Sequence, residues 1–228
     1  MKVSLGGHEV YRGPSVPGFH YGVGDRDLAP GEGMRKLAGE LGKEAPAFVH
    51  QVHGDRIVNA EEAAADGSTE ADALLVSAGQ GGYIRIADCV PVILLNQTTH
   101  QGAVVHAGWR GTFERIVEKA VRRLGAPGEV QAYIGPAIGR CCYRVSPELA
   151  GDFAARFGRG DWLVEHDDGP YLDLPQLNAD QLRGVGVGTI NVEGRCTRDA
   201  ADLHSYRRDG ADAGRLVAFL FVEPDRAA

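Results

Sequence analysis

YIRIADCVPVILLNQTTHQGAVVHAGWRGTFERIVEKAVRRL, residues 83–124, sets three apolar runs in close succession before a clear amphipathic helix. The runs at 83–87, 90–95 and 103–106 have strand length and little polar alternation, which predicts strands without a wet face. In the segment that follows, Ile116, Val117, Ala120, Val121 and Leu124 fall on one stripe, and Gly125 offers a C-terminal stop. That pattern predicts a helix over 112–124. Strand follows strand with no helix between, so hairpins and a mixed sheet fit better than a strict βαβ repeat. Working outward, further strands are expected at 47–52, 57–58, 73–77, 130–134, 189–192 and 216–222. Helices are expected at 33–41 and 174–183, and over SPELAGDFAARFG (146–158), where Ser146 serves as N-cap and Pro147 takes the first helical position. The expectation is one α+β domain over 1–228 without an internal linker.

A chain of 228 residues with 43% apolar residues can bury a substantial core. The opening MKVSLGGHEVYRG has no continuous apolar stretch of the signal-peptide kind, and the longest apolar run is too short to cross a bilayer. A cytoplasmic protein without membrane contact is expected. Four cysteines do not make a disulfide scaffold at this length, and adjacent Cys141 and Cys142 are awkwardly placed to pair with each other. A formal charge of −7 argues against a nucleic-acid surface, which needs a concentrated positive field. An anionic partner must therefore be small and gripped locally.

Three candidate ligands stand in apolar surroundings: His53 in FVHQVHGDRIV, Cys89 in YIRIADCVPVILL and His106 in GAVVHAGWRGT. One thiolate with two imidazoles suits zinc or copper, and three protein ligands leave a fourth position open for chemistry. The intervals between them are too long for a finger or ribbon, so folding must assemble the site. Taken singly, each residue reads as structural, since a buried cysteine packs as a small hydrophobe. His50 is a further candidate ligand, but on an extended strand it points away from His53. Asp88, beside the cysteine, is available for proton transfer.

Elsewhere the signals are weaker. GVGVG (184–188) completes no dinucleotide fingerprint, and no GxxxxGK loop occurs. In GWRGT (108–112) a helix N-terminus and the fork of Arg110 could dock a phosphate, or the stretch is a glycine-rich turn. The late segment RCTRDAADLHSYRRDGADAGRL mixes Arg195, Arg198, Arg207 and Arg208 with Asp199, Asp202 and Asp209. It reads as an exposed, self-neutralising loop, or as an anion clamp with Tyr206 as stacking ring.

Seven segments occur in the same order as in the bacterial laccase-domain family: HQVHGD (50–55), ADALLVS (71–77), RIADCVPVILL (85–95), VVHAGWRGT (104–112), IGPAIGRCCYRV (134–145), CTRD (196–199) and SYRRDG (205–210). The chain resembles that family from about His50 to Arg215. The family has carried the names polyphenol oxidase, peptidoglycan editing factor and purine nucleoside phosphorylase with adenosine deaminase activity. The resemblance implies a four-layered α/β/β/α fold with mixed sheets. It also implies that His53, Cys89 and His106 hold a catalytic metal, zinc with copper as the alternative. The N-terminal stretch YGVGDRDLAPGEG departs from the family's longer glycine- and asparagine-rich opening, so no contact made there carries over.

The function expected on this basis is zinc-dependent phosphorolysis of adenosine, inosine or methylthioadenosine, with adenosine deamination as a second activity. Purine nucleosides and phosphate would be the partners, with Arg110, Arg207 and Arg208 as substrate-binding residues. A metal-free cysteine hydrolase using Cys89 and His106, and a copper phenol oxidase, are the alternatives. The eight histidines form no HxH pair of the kind a multicopper centre uses.

Overall fold

The last strand, β13 (Leu216–Val222), is apolar and buried at all seven positions. Its two faces serve different cores. Leu216, Ala218, Leu220 and Val222 pack with Ile84, Ile86, Ile93 and Val104, whereas Val217, Phe219 and Phe221 pack with Met34 and Leu37. A strand buried on both sides must lie in the middle of a layered stack. The computed structural model describes residues 1–224 and shows that stack.

One sheet has the order β1 (Lys2–Leu5), β2 (His8–Tyr11), β3 (Phe19–Gly24), β13 and β6 (Gly81–Ile86), with every neighbour antiparallel. The other has the order β12 (Thr189–Val192), β9 (Val130–Ile134), β7 (Val90–Asn96), β8 (Gln101–Ala107), β5 (Ala73–Val76) and β4 (Ile57–Asn59). Its outermost pairs are parallel and its three inner pairs antiparallel. Helix α1 (Glu32–Glu40) covers the free face of the five-stranded sheet through Met34, Leu37 and Ala38. Helices α3 (Ile116–Leu124) and α5 (Leu174–Gly184) cover the free face of the six-stranded sheet. The result is a single mixed α/β domain in four layers, helix, sheet, sheet, helix, as expected.

Alternation along β7 explains the registry of the two inner layers. Val90, Val92 and Leu94 face α3, while Ile93 and Leu95 face the five-stranded sheet. Each such side chain contributes about 1.5–3 kcal/mol on burial. Leu94→Ala is accordingly expected to cost about 2–5 kcal/mol.

Three details differ from the sequence expectation. Residues 47–52 make only isolated bridges, at Ala47 and His50, because the Gln51 side chain accepts from the Arg85 amide and donates to its carbonyl, occupying the groups a ladder would use. The helix expected over 112–124 is two helices, α2 (Trp109–Phe113) and α3, since Arg115 adopts a left-handed φ of 60° and turns the chain between them. Strands β1 to β3 and the hairpin β10 (Leu163–His166) with β11 (Gly169–Leu172) were not expected. For β1 and β2 the readable signal was Gly6-Gly7, a two-residue hairpin loop with positive φ at both positions. Helix α4 (Pro147–Phe157) begins as expected, with the Ser146 hydroxyl accepting from the Leu149 amide. Among the described residues no helix is long and apolar enough to cross a membrane.

Candidate active site

The sheet register brings three strand ends to one edge. His106, near the end of β8, stands opposite Pro91 of β7. Continuing the β5–β8 register by one step places Asp72 on its other side, and the His106 amide donates to the Asp72 carbonyl at 2.8 Å. Like Val104, His106 points into the gap between the sheets, where it is 2% exposed. Cys89 lies where the chain steps from β6 in one sheet to β7 in the other. That crossing is tight enough to put Asp88 at a φ of 87°. His53 occupies the turn after the 47–52 segment, also left-handed at φ 60°. Backbone in this region is costly for residues other than glycine and persists where surrounding bonds hold it.

Here those bonds come from Asp72. Its carboxylate accepts from the amides of Val52, His53 and Gly54 at 3.3, 3.0 and 2.7 Å, and from His106 Nδ1 at 2.7 Å. One fully buried carboxylate therefore fixes the His53 turn and the His106 ring together. Burial would raise the Asp72 carboxyl, but His106 and the Gly54 amide hold it below the ordinary carboxylate value. With Nδ1 committed to Asp72, Nε2 is the nitrogen left for a metal or a proton.

One ligand atom each from His53, Cys89 and His106 lies within 4.8 Å of the others. The two imidazole centroids are 4.9 Å apart at 79°. Gly108 closes over them: a Cβ there would lie 3.3 Å from both Cys89 Sγ and His53 Cδ2, tighter than side chains ordinarily pack. Burial opposes ionisation of Cys89, yet interactions with His106 and His53 draw its thiol down to about 6. Burial likewise opposes the charge on His106, but Asp72 and Cys89 raise it to about 9. A thiolate beside two imidazoles, one backed by a carboxylate, matches the donor set and support of a zinc or copper site with an open position.

These residues open onto a cavity of about 530 Å³. Arg85, Arg207 and Arg215 bring three guanidinium groups to its lining, and Ile86, Ile138, Tyr143 and Tyr206 bring flat or apolar surface. Burial raises the Tyr143 phenol to about 12, so it remains a donor at neutral pH. Asp88 faces the cavity, but its oxygens accept from Thr197 Oγ1 at 2.6 Å and the Arg207 amide at 2.7 Å. It anchors the loop that carries Arg207.

The sequence candidates thus separate. His53, Cys89, His106 and Arg207 meet at one cavity. Arg207 donates to the carbonyls of Cys142 and Arg144 and lies 5.2 Å over the Tyr143 ring. Arg208 turns elsewhere, donating to the carbonyls of Thr197, Arg198, Ala200 and Leu203 and pairing with Asp209. Arg110 is exposed and stacked 4.2 Å over Trp109, outside the lining. The helix behind Gly108 has only five residues, too short for the phosphate dock considered from GWRGT. His50 is exposed and belongs to neither cluster of ligating side chains. Sequence reasoning missed Asp72, Arg85 and Arg215. For Asp72 the available signal was a carboxylate directly preceding a wholly apolar strand, where an unpaired charge is not tolerated.

Comparison with known proteins places this site in context. The family model described as multi-copper polyphenol oxidoreductase laccase matches residues 15–223. A protein of Deinococcus radiodurans named purine nucleoside phosphorylase is 39% identical over 197 residues, covering 83% of this chain and 76% of that protein. One of the same name from Pseudomonas aeruginosa is 31% identical over 209 residues, covering 88% and 84%. Among solved structures, YlmD of Geobacillus stearothermophilus superposes with a TM-score of 0.82 at 28% identity, covering 91% of this chain and 93% of that one. A Neisseria meningitidis protein gives 0.83 at 26% identity, covering 94% and 98%.

Proposed function

This chain belongs to the multi-copper polyphenol oxidoreductase laccase family, and from that premise we propose that it is a purine nucleoside phosphorylase whose metal is held by His53, Cys89 and His106. The observation that carries the reading is the convergence of those three ligands in the lining of a cavity to which three arginines also belong. Relatives at 39% and 31% identity bear the name purine nucleoside phosphorylase. A bound zinc or copper ion supplies Lewis-acid chemistry at this position.

The chain's own residues do the rest. Arg207 spends one nitrogen on two backbone carbonyls, and Arg85 and Arg215 likewise each engage carbonyls through a single nitrogen. The remaining donors of each fork suit an inorganic phosphate, which must be oriented toward the anomeric carbon of the nucleoside. Tyr143 and Tyr206 provide ring faces for a purine. Asp72 holds His106 in one tautomer, so that Nε2 keeps a fixed direction. Adenosine, inosine and methylthioadenosine are the proposed substrates, and adenosine deamination is part of the same proposal. A cytoplasmic location, where nucleosides and free phosphate occur together, accords with it.

A second reading has its own support. Asp72, His106 and Cys89 form a carboxylate, imidazole and thiol series, the arrangement of a metal-free cysteine hydrolase. A copper phenol oxidase is less well supported: among the described residues neither cluster of three or more ligating groups contains more than two histidines. Incubation of zinc-loaded protein with each nucleoside, with and without phosphate, followed by chromatography, separates these readings. Sugar phosphate formed only when phosphate is present is the expected result, with ammonia from adenosine reporting deamination. Absence of nucleoside turnover, or full activity after metal removal, would overturn the proposal.

A further inference from the structure

A second sulfur-rich cluster lies apart from the residues that line the cavity. Cys141, Cys142, Cys196 and Asp199 each present a ligand atom, all within 4.8 Å of one another. The Cys141 and Cys142 sulfurs are 3.0 Å apart. Each thiol donates to Asp199, Cys141 to Oδ2 at 3.4 Å and Cys142 to Oδ1 at 3.3 Å. Arg198 approaches Cys142 Sγ at 3.5 Å, and the Gly139 amide donates to Cys196 Sγ at 3.4 Å.

Main-chain pairing holds these groups together, so their meeting does not depend on flexible side chains. Ala137 bridges Cys196 in parallel, the Thr197 amide donates to the Ala137 carbonyl at 3.0 Å, and the Ala137 amide donates to the Arg195 carbonyl at 3.2 Å. An isolated bridge thereby holds Cys196 against the segment that leads into the turn carrying Cys141 and Cys142, where the Cys142 amide donates to the Gly139 carbonyl at 3.0 Å.

From this geometry we propose that Cys141, Cys142, Cys196 and Asp199 form a second, structural zinc site. Three thiolates and one carboxylate oxygen fill all four positions of a tetrahedral ion and leave none for chemistry, as in structural rather than catalytic zinc sites. A mixed sulfur and oxygen set favours zinc over the softer copper(I). A Zn–S bond of about 2.3 Å sets ligand separations of roughly 3.8 Å, so the Cys141 and Cys142 sulfurs part by less than about 1 Å on binding. Three protons leave to solvent as the thiols ionise, the two of Cys141 and Cys142 now shared with Asp199 and that of Cys196. Arg198 and the Gly139 amide remain as outer partners that offset the negative charge of the ligands.

The consequence reaches the cavity. Ile138, three residues before Cys141, and Thr197, next to Cys196, both hold Asp88: the Ile138 amide donates to its carbonyl at 2.9 Å and Thr197 Oγ1 to its carboxylate at 2.6 Å. A zinc ion there staples together the two loops that fix Asp88 and, through it, the Arg207 amide.

The test is a zinc count by native mass spectrometry on chelator-stripped, reloaded protein. The wild-type chain is expected to take two equivalents, Cys89→Ser one and Cys196→Ser one, and the double variant none. Cobalt substitution of Cys89→Ser is expected to give the strong near-ultraviolet absorption of thiolate-bound tetrahedral cobalt, lost when Cys196→Ser is added. Exposed Cys141 supplies a second variant, Cys141→Ser, in case Cys196→Ser does not fold. Asp199→Asn should weaken zinc at least tenfold in the Cys89→Ser background. If folded Cys89→Ser protein holds no zinc, or holds it equally after Cys196→Ser or Cys141→Ser, the second site does not exist. That result would leave the first site untouched.

Discussion

Two groups of cysteine-bearing ligands sit in one small protein and manage charge in opposite ways. At the sheet edge, Cys89 has two imidazoles for neighbours, and despite burial its thiol is drawn down to about 6. In the loops after β9 and β12, burial raises the thiols of Cys141 and Cys142, and for Cys141 the neighbouring sulfurs and Asp199 reinforce the shift. The first cluster carries a ready anion beside a cavity, while the second keeps its protons until something displaces them. Cysteine chemistry is thus set by which partners the fold delivers, histidine and carboxylate relay in one case, sulfur and carboxylate crowding in the other.

The sharpest way to break this contrast is Cys89→Ala. Loss of phosphate-dependent nucleoside turnover on the order of 10³-fold or more is expected in steady-state assays, together with loss of one bound metal. A fall of only a fewfold would remove Cys89 from the catalytic centre.

Alkylation of metal-free protein follows in size. The Cys89 thiolate dominates above pH 6, so its reaction with iodoacetamide should rise through a midpoint near pH 6 and level off. Cys141 and Cys142, shifted the other way, should remain roughly 100-fold slower at pH 7. Peptide mapping of the labelled sites reads both. His106→Ala should move the Cys89 midpoint upward, because one of the groups favouring the thiolate is gone. Equal labelling of all three sulfurs at pH 7 would erase the distinction.

Asp72→Asn tests the relay behind the first cluster. It keeps size but removes the charge that raises His106 and replaces one of two accepting oxygens with a donor, and a loss of about 10–100-fold in metal affinity is expected from competition titration. Gly108→Ala is the mildest change. A Cβ at 3.3 Å from Cys89 Sγ and His53 Cδ2 forces the ligands to shift, costing about 1–3 kcal/mol in urea unfolding. The metal-free protein should show most of that cost.

Much of this organisation was legible in the sequence. Three apolar runs before an amphipathic helix implied buried strands; Cys89 and His106 were marked because they end or interrupt those runs, and His53 because it stands in apolar surroundings of its own. Asp72 was not legible as their support, since its role exists only once the β5–β8 register sets it opposite His106. Arg85 lies within β6 near its end and Arg215 just before β13, and no local pattern states which strand ends share a cavity. Arg208 looked like a substrate clamp because its charge was visible and its four carbonyl partners were not. The adjacency of Cys141 and Cys142 was read only as a bar to pairing. Their third sulfur arrives from Cys196 through main-chain pairing with Ala137. Local periodicity carries elements and burial, whereas register and loop closure carry partners.

The most direct measurement is phosphate-dependent formation of sugar 1-phosphate from inosine by wild-type protein before chelation, after chelation and after zinc is restored, with Cys89→Ala alongside. The account predicts product in the first and third samples, little in the second, and none from the variant under any condition. Undiminished product from the stripped wild-type protein, or metal-restored product from Cys89→Ala, would contradict it.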